Sequence, residues 1–104
     1  MEYKVKHGLP DRARVRVVVE RAYEAYKERL ASHDPTLTWD GDSAAKIGFT
    51  IMGKKLITDV AIDDANLNIT GKIPFLFRPF EKKILGIVGG EVEKWLEKAR
   101  AGEI

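Results

Sequence analysis

The chain has 104 residues, 44% hydrophobic and 33% charged, the balance of one globular domain spanning residues 1–104 rather than of a disordered chain. It contains no cysteine, which excludes disulfides, thiolate chemistry and Cys-based zinc sites and fits a reducing cytoplasm as the expected location. A formal charge of +2 is too small to argue for nucleic acid, no apolar run approaches the roughly 20 residues of a transmembrane segment, and the N-terminus lacks the apolar stretch of a secretory signal.

Glu2–Lys6 alternate and predict a short edge strand with Tyr3 and Val5 facing inward. Gly8, Leu9 and Pro10 then announce a break and a helix start, with Pro10 in the first turn and Asp11 complementing the helix dipole. From Pro10 to Ala31 the positions Val15, Val18, Val19, Ala22, Tyr26 and Leu30 recur at helical spacing and make one apolar stripe. Val17, Val18 and Val19 are poor helix formers, so packing must hold this segment helical. Asp34-Pro35 ends it.

The middle of the chain reads as an antiparallel meander. Leu37 and Trp39 alternate with Thr36 and Thr38 before the turn signal Asp40-Gly41-Asp42. Ala45, Ile47, Phe49 and Ile51 share one face, and Gly53-Lys54 turns the chain. Leu56, Val60 and Ile62 alternate with Asp59 and Asp63, Asp63-Asp64-Ala65 turns again, and Leu67, Ile69 and Ile73 complete the sheet. Such alternation requires one buried and one wet face. After Pro74, the positions Phe80, Ile84, Ile87, Val88, Val92, Trp95, Leu96 and Ala99 keep a helical rhythm to the end. The expected fold is α+β, in the order β-α-β-β-β-β-α. An antiparallel sheet of four to five strands carries two helices on its apolar face, the C-terminal one long.

At these residues the chain resembles the polyhydroxyalkanoic acid system family, small bacterial proteins associated with polyhydroxyalkanoate granule gene clusters. The resemblance runs from His7 to Leu96. It is carried by His7-Gly8-Leu9 before an Ala/Arg/Val-rich helix, by Trp39-Asp40-Gly41-Asp42, and by Leu67-x-Ile69-x-Gly71-x-Ile73-Pro74-Phe75-Leu76 before a closing amphipathic helix. The departures are Arg78-Pro79 and the glycines Gly86, Gly89 and Gly90, all in that last helix. The resemblance implies an accessory role in storage-granule formation or regulation, with a granule surface or a granule-associated protein as partner. It implies no catalytic residues and no cofactor.

The residues themselves carry no catalytic motif and do not say what the chain binds. His7 and His33 are the only histidines, and neither stands in a nucleophile or zinc-protease motif. His7 is expected to bond backbone at the strand-to-helix junction. The acids Asp40, Asp42, Asp59, Asp63 and Asp64 invite a metal reading, but Asp40-Gly41-Asp42-Ser43 lacks the rest of a calcium loop and Asp63-Asp64 sits where a hairpin wants turn formers, so no metal site is expected. Arg12, Arg14, Arg16 and Arg21 read as a solvated helix face, and Trp39 and Trp95 as core anchors. The segment with most to offer is Phe75-Leu76-Phe77-Arg78-Pro79-Phe80, followed by Lys82 and Lys83. Its rings either cap the core or form an apolar wedge with a basic rim, the expected docking surface being Phe75, Phe77, Arg78, Phe80, Lys82 and Lys83. Two other functions compete. One is a small apolar-ligand carrier of helix-grip type, its pocket lined by Phe49, Ile51, Val60, Ile69 and Trp95. The other is a homodimer formed through a sheet edge or the glycine-containing helix.

Overall fold

A computed structural model describes residues 1–104. The elements run β1 (Glu2–Lys6), α1 (Arg12–Arg29), a 3-10 turn at Ala31–His33, β2 (Thr36–Trp39), β3 (Ala44–Ile51), β4 (Lys54–Ile62), β5 (Asn66–Thr70), a second 3-10 turn at Phe75–Phe77, and α2 (Arg78–Arg100). The five strands form one sheet in the order β1-β5-β4-β3-β2, every pairing antiparallel. Strands β2 to β5 make a meander by short turns. Because β1 and β2 lie at opposite edges, the α1 connection must carry the chain across the whole sheet.

Register follows the alternation. Val60 stands opposite Ala45 on one side and Ile69 on the other, Ile47 opposite Thr58, and Ile62 opposite Leu67, all buried. A one-residue slip would drive this row into water. On the outer face Lys46 and Asp59, directly opposite one another, form an exposed ion pair at 2.7 Å. Thr58 is the inward position that the hydrophobic pattern does not mark. Its buried hydroxyl donates to the Ile47 carbonyl at 3.2 Å, so it sits in the core without an orphaned polar atom.

The first helix starts one step later than its proline suggests. Asp11 is the N-cap, its carboxylate accepting the Arg14 N–H at 2.8 Å, and Pro10 lies outside. Val15, Val18, Val19, Ala22 and Tyr26 are buried, the stripe that the spacing predicts. The second helix begins at Arg78 with Pro79 in its first turn, where the missing N–H costs nothing. It runs unbroken through Gly86, Gly89 and Gly90, so the glycines do not end it. Gly89 has a packing reason: a Cβ there would lie 3.0 Å from the Tyr3 ring. Gly86 and Gly90 have open space around them.

Both helices lie on the apolar face of the sheet and share one buried cluster with β3, β4 and β5. The edge strands contribute only half-buried side chains to it, Tyr3 and Val5 from β1, Leu37 and Trp39 from β2. The helices run in opposite directions. Arg100, at the end of α2, donates to the His7 carbonyl (Nε, 2.9 Å) and the Lys6 carbonyl just ahead of α1. At the other end His33, just past α1, faces Phe80 in the first turn of α2. The molecule measures 39 × 22 × 20 Å. Its long dimension is that of α2, whose 23 residues span about 34 Å at 1.5 Å per residue.

Candidate functional site

A meander sends alternate turns to opposite ends of the sheet, which gives this elongated molecule two chemically different ends. The β2–β3 and β4–β5 turns share one end with the start of α1. The β3–β4 turn shares the other with the loop into α2.

The first end is closed by its own charges. Asp63 Oδ1 accepts the N–H groups of Asn66 (2.6 Å) and Ala65 (2.8 Å), and these bonds hold the Asp63 carboxyl below the usual carboxylate range. The Asp63 carbonyl in turn accepts from His7 Nε2 at 2.9 Å, while His7 Nδ1 accepts the Leu9 N–H at 3.0 Å. Buried His7 is therefore a structural tie between β1, α1 and the β4–β5 turn, as its place at the junction suggests. Arg12 and Arg16 of α1 are engaged as well, rather than merely solvated. Arg12 pairs with Asp64 at 3.0 Å, and Arg16 donates to the Gly41 carbonyl at 3.2 Å with its guanidinium 4.3 Å from the centre of the Trp39 ring.

The second end is open. Pro74 leads into the 3-10 turn, closed by the Phe77 N–H donating to the Pro74 carbonyl at 2.8 Å. This tight turn divides the aromatic run. Phe77 and Phe80 turn inward, half-buried against the core, with ring centres 6.5 Å apart; His33 stacks edge-on to Phe80 at 6.3 Å and reaches the Thr50 carbonyl through Nδ1 at 3.2 Å. Phe75 and Leu76 turn outward and stay 75% and 82% exposed. The Arg78 guanidinium lies 5.1 Å from the centre of the Phe75 ring, and Lys82 and Lys83 are exposed on the next turn of α2. Of the six residues expected to dock, Phe77 and Phe80 are thus anchors of the loop. Leu76, which the aromatic pattern overshadows, is the most exposed apolar residue of the segment.

Beside this tip an open groove of about 300 Å³ is lined by Met1, Ile73, Arg78, Glu81, Lys82 and Leu85. The internal space next to it is only about 10 Å³, room for one water, with Phe49, Ile51, Leu56, Thr58, Ile73 and Ile84 among its walls. Phe49 and Ile51 of the expected apolar pocket are among these walls. Val60 and Ile69 are packed in the core and line no space, and Trp95 is half-buried on α2 with the Lys98 ammonium 5.5 Å from its ring centre. In comparisons with family models, with curated proteins and with solved structures, no match to this chain was found.

Proposed function

We propose that this protein is a non-catalytic docking module that seats the Phe75–Arg78 end of the molecule on an apolar, lipid-coated body. The resemblance of residues 7–96 names that body as a polyhydroxyalkanoate storage granule. The observation that carries the reading is the division of one aromatic segment: Phe77 and Phe80 hold the loop to the core while Phe75 and Leu76 are presented to solvent. Leaving two large apolar side chains in water forgoes on the order of 2 kcal/mol of burial for each, a sacrifice recovered when a partner covers them. Both ring nitrogens of His7 bond backbone groups and His33 bonds the Thr50 carbonyl through Nδ1, which suits a structural part for each.

Co-sedimentation with isolated granules tests the proposal. The parent chain should be enriched with the granules, and Phe75→Ser with Leu76→Ser should lose that enrichment at unchanged folding stability. Phe77→Ser or Phe80→Ser should instead lower stability by roughly 2 kcal/mol, because those rings are packed. A parent chain that stays in the supernatant would overturn the reading.

A further inference from the structure

The β3–β4 turn brings a third apolar side chain to the same end. Ile51 and Leu56, which flank that turn, share the walls of the small internal space with Ile73 and Ile84, so the turn abuts the loop that carries Phe75 and Leu76. Between them Met52 is 80% exposed. Its backbone is unusual. Met52 has φ 52° and Gly53 φ 78°, a two-residue hairpin turn with both central residues left-handed. Such a turn favours Asn or Asp followed by Gly, and an unbranched apolar side chain is strained there. Met52 gains no packing to offset that strain.

The two loops that carry these three side chains are mainly basic. Lys54 and Lys55 follow Met52; Lys72, Arg78, Lys82 and Lys83 flank Phe75 and Leu76 along the chain, Arg78 lying over the Phe75 ring, and all six are exposed. Across residues 50–55 and 71–83 the one acid is Glu81, which is half-buried in the groove wall and paired with the amino group of Met1 at 3.5 Å; the exposed acids Glu2, opposite Thr70, and Asp34, next to His33, stand at the same end and leave the cations in the majority. Flexible apolar tips within a ring of cations suit a layer whose surface is anionic and whose interior is hydrocarbon. The tips enter the acyl boundary while the lysine stems lie along it and their ammonium groups stay among the headgroups.

We propose that this end is a two-loop insertion surface for an anionic phospholipid layer, with Met52 entering beside Phe75 and Leu76 and the six cations holding the headgroups. The proposal rests on the docking reading above and deepens it by fixing the chemistry of the partner. Sedimentation with phosphatidylcholine vesicles, with and without phosphatidylglycerol, tests it alongside the granules. The protein should bind only the vesicles containing phosphatidylglycerol and should be released by added salt. Lys54→Glu with Lys55→Glu should weaken that binding roughly tenfold or more. Met52→Asn should weaken it severalfold while the melting temperature holds or rises, so a loss of binding cannot be blamed on misfolding. Equal binding to the two vesicle types, or full binding by Met52→Asn, overturns the proposal. If granules capture the chain only before protease stripping, and vesicles do not capture it, the partner is a protein and the lipid assignment falls while docking stands. If Phe75→Ser with Leu76→Ser changes nothing on granules or vesicles, both readings fall together.

Discussion

Tyr26 is 1% exposed, and no protein group bonds its hydroxyl. Its place on the apolar stripe of α1 is legible in the spacing, but the orphaned oxygen is not, because only the packed neighbours decide whether a partner is in reach. Burial drives its ionisation well above the ordinary value of 10, with Tyr23 adding to the effect. Tyr3 is pushed up to about 12, first by burial and then by the negative charge of Glu93. Both phenols hold their protons more tightly in the folded chain than in the unfolded one. The stability they contribute is therefore complete below the unfolded value of about 10 and is lost as the pH climbs through the raised folded values. Tyr26→Phe should leave stability at neutral pH unchanged or raised by about 1 kcal/mol, since it removes an unsatisfied hydroxyl without removing the ring. It should also flatten the decline above about pH 10. Urea unfolding at neutral and alkaline pH measures both effects.

At the scale of the element, α2 shows what a helix tolerates. Three glycines within five positions weaken its intrinsic propensity, yet Ile84, Val88, Val92, Leu96 and Ala99 are buried on one face and packing keeps the helix whole. Gly86→Ala and Gly90→Ala should each stabilise the protein by roughly 0.5–1 kcal/mol, because a methyl group there meets open space. Gly89→Ala should gain nothing or lose stability, because its methyl group would press on the Tyr3 ring. Equal gains at all three positions in urea melts would mean that Tyr3 yields freely. The hairpin between β3 and β4 teaches a similar lesson. Gly53 marks a turn in the sequence, but the turn residues are Met52 and Gly53 rather than Gly53 and Lys54, because register across Ile51 and Lys54 is set by the paired hydrophobic rows.

For the whole molecule the decisive feature is its polarity from end to end. Residues 34–64 carry three basic and six acidic side chains, and residues 1–21 carry six and three. The fold brings the acidic turns of the first group to the arginines of the second, through Arg12 with Asp64 and Arg16 with Asp42 at 4.0 Å. Asp63 organises that closed end, and its carboxyl is lowered by the N–H groups of Asn66 and Ala65. A carboxyl lowered on folding contributes stability that is present above the unfolded value of about 4 and lost as the pH falls through its folded value. Asp63→Ala should accordingly be less stable than the parent at neutral pH, and the gap should narrow below about pH 4. A gap independent of pH in thermal melts would show that the carboxylate charge has no part in it. The other end has no such closure, and the granule and vesicle experiments read it directly.

The alternation of β3, β4 and β5 and the helical spacing of Val15 to Leu30 and Ile84 to Ala99 determined the α+β class, the element order and the inward faces. Those features depend on local periodicity, which a linear chain displays openly. Tertiary structure alone decided how the Phe75–Phe80 run divides into anchors and exposed tips. A 3-10 turn rotates neighbouring side chains to opposite environments according to what the core has room for. It alone brought the Met52 turn and the loop of Phe75 and Leu76, far apart in the chain, to one end, because only the meander sends those two loops there. It also decided how little space lies between sheet and helix beside Phe49 and Ile51, since that depends on the last few ångströms of packing, and periodicity carries no information about that distance.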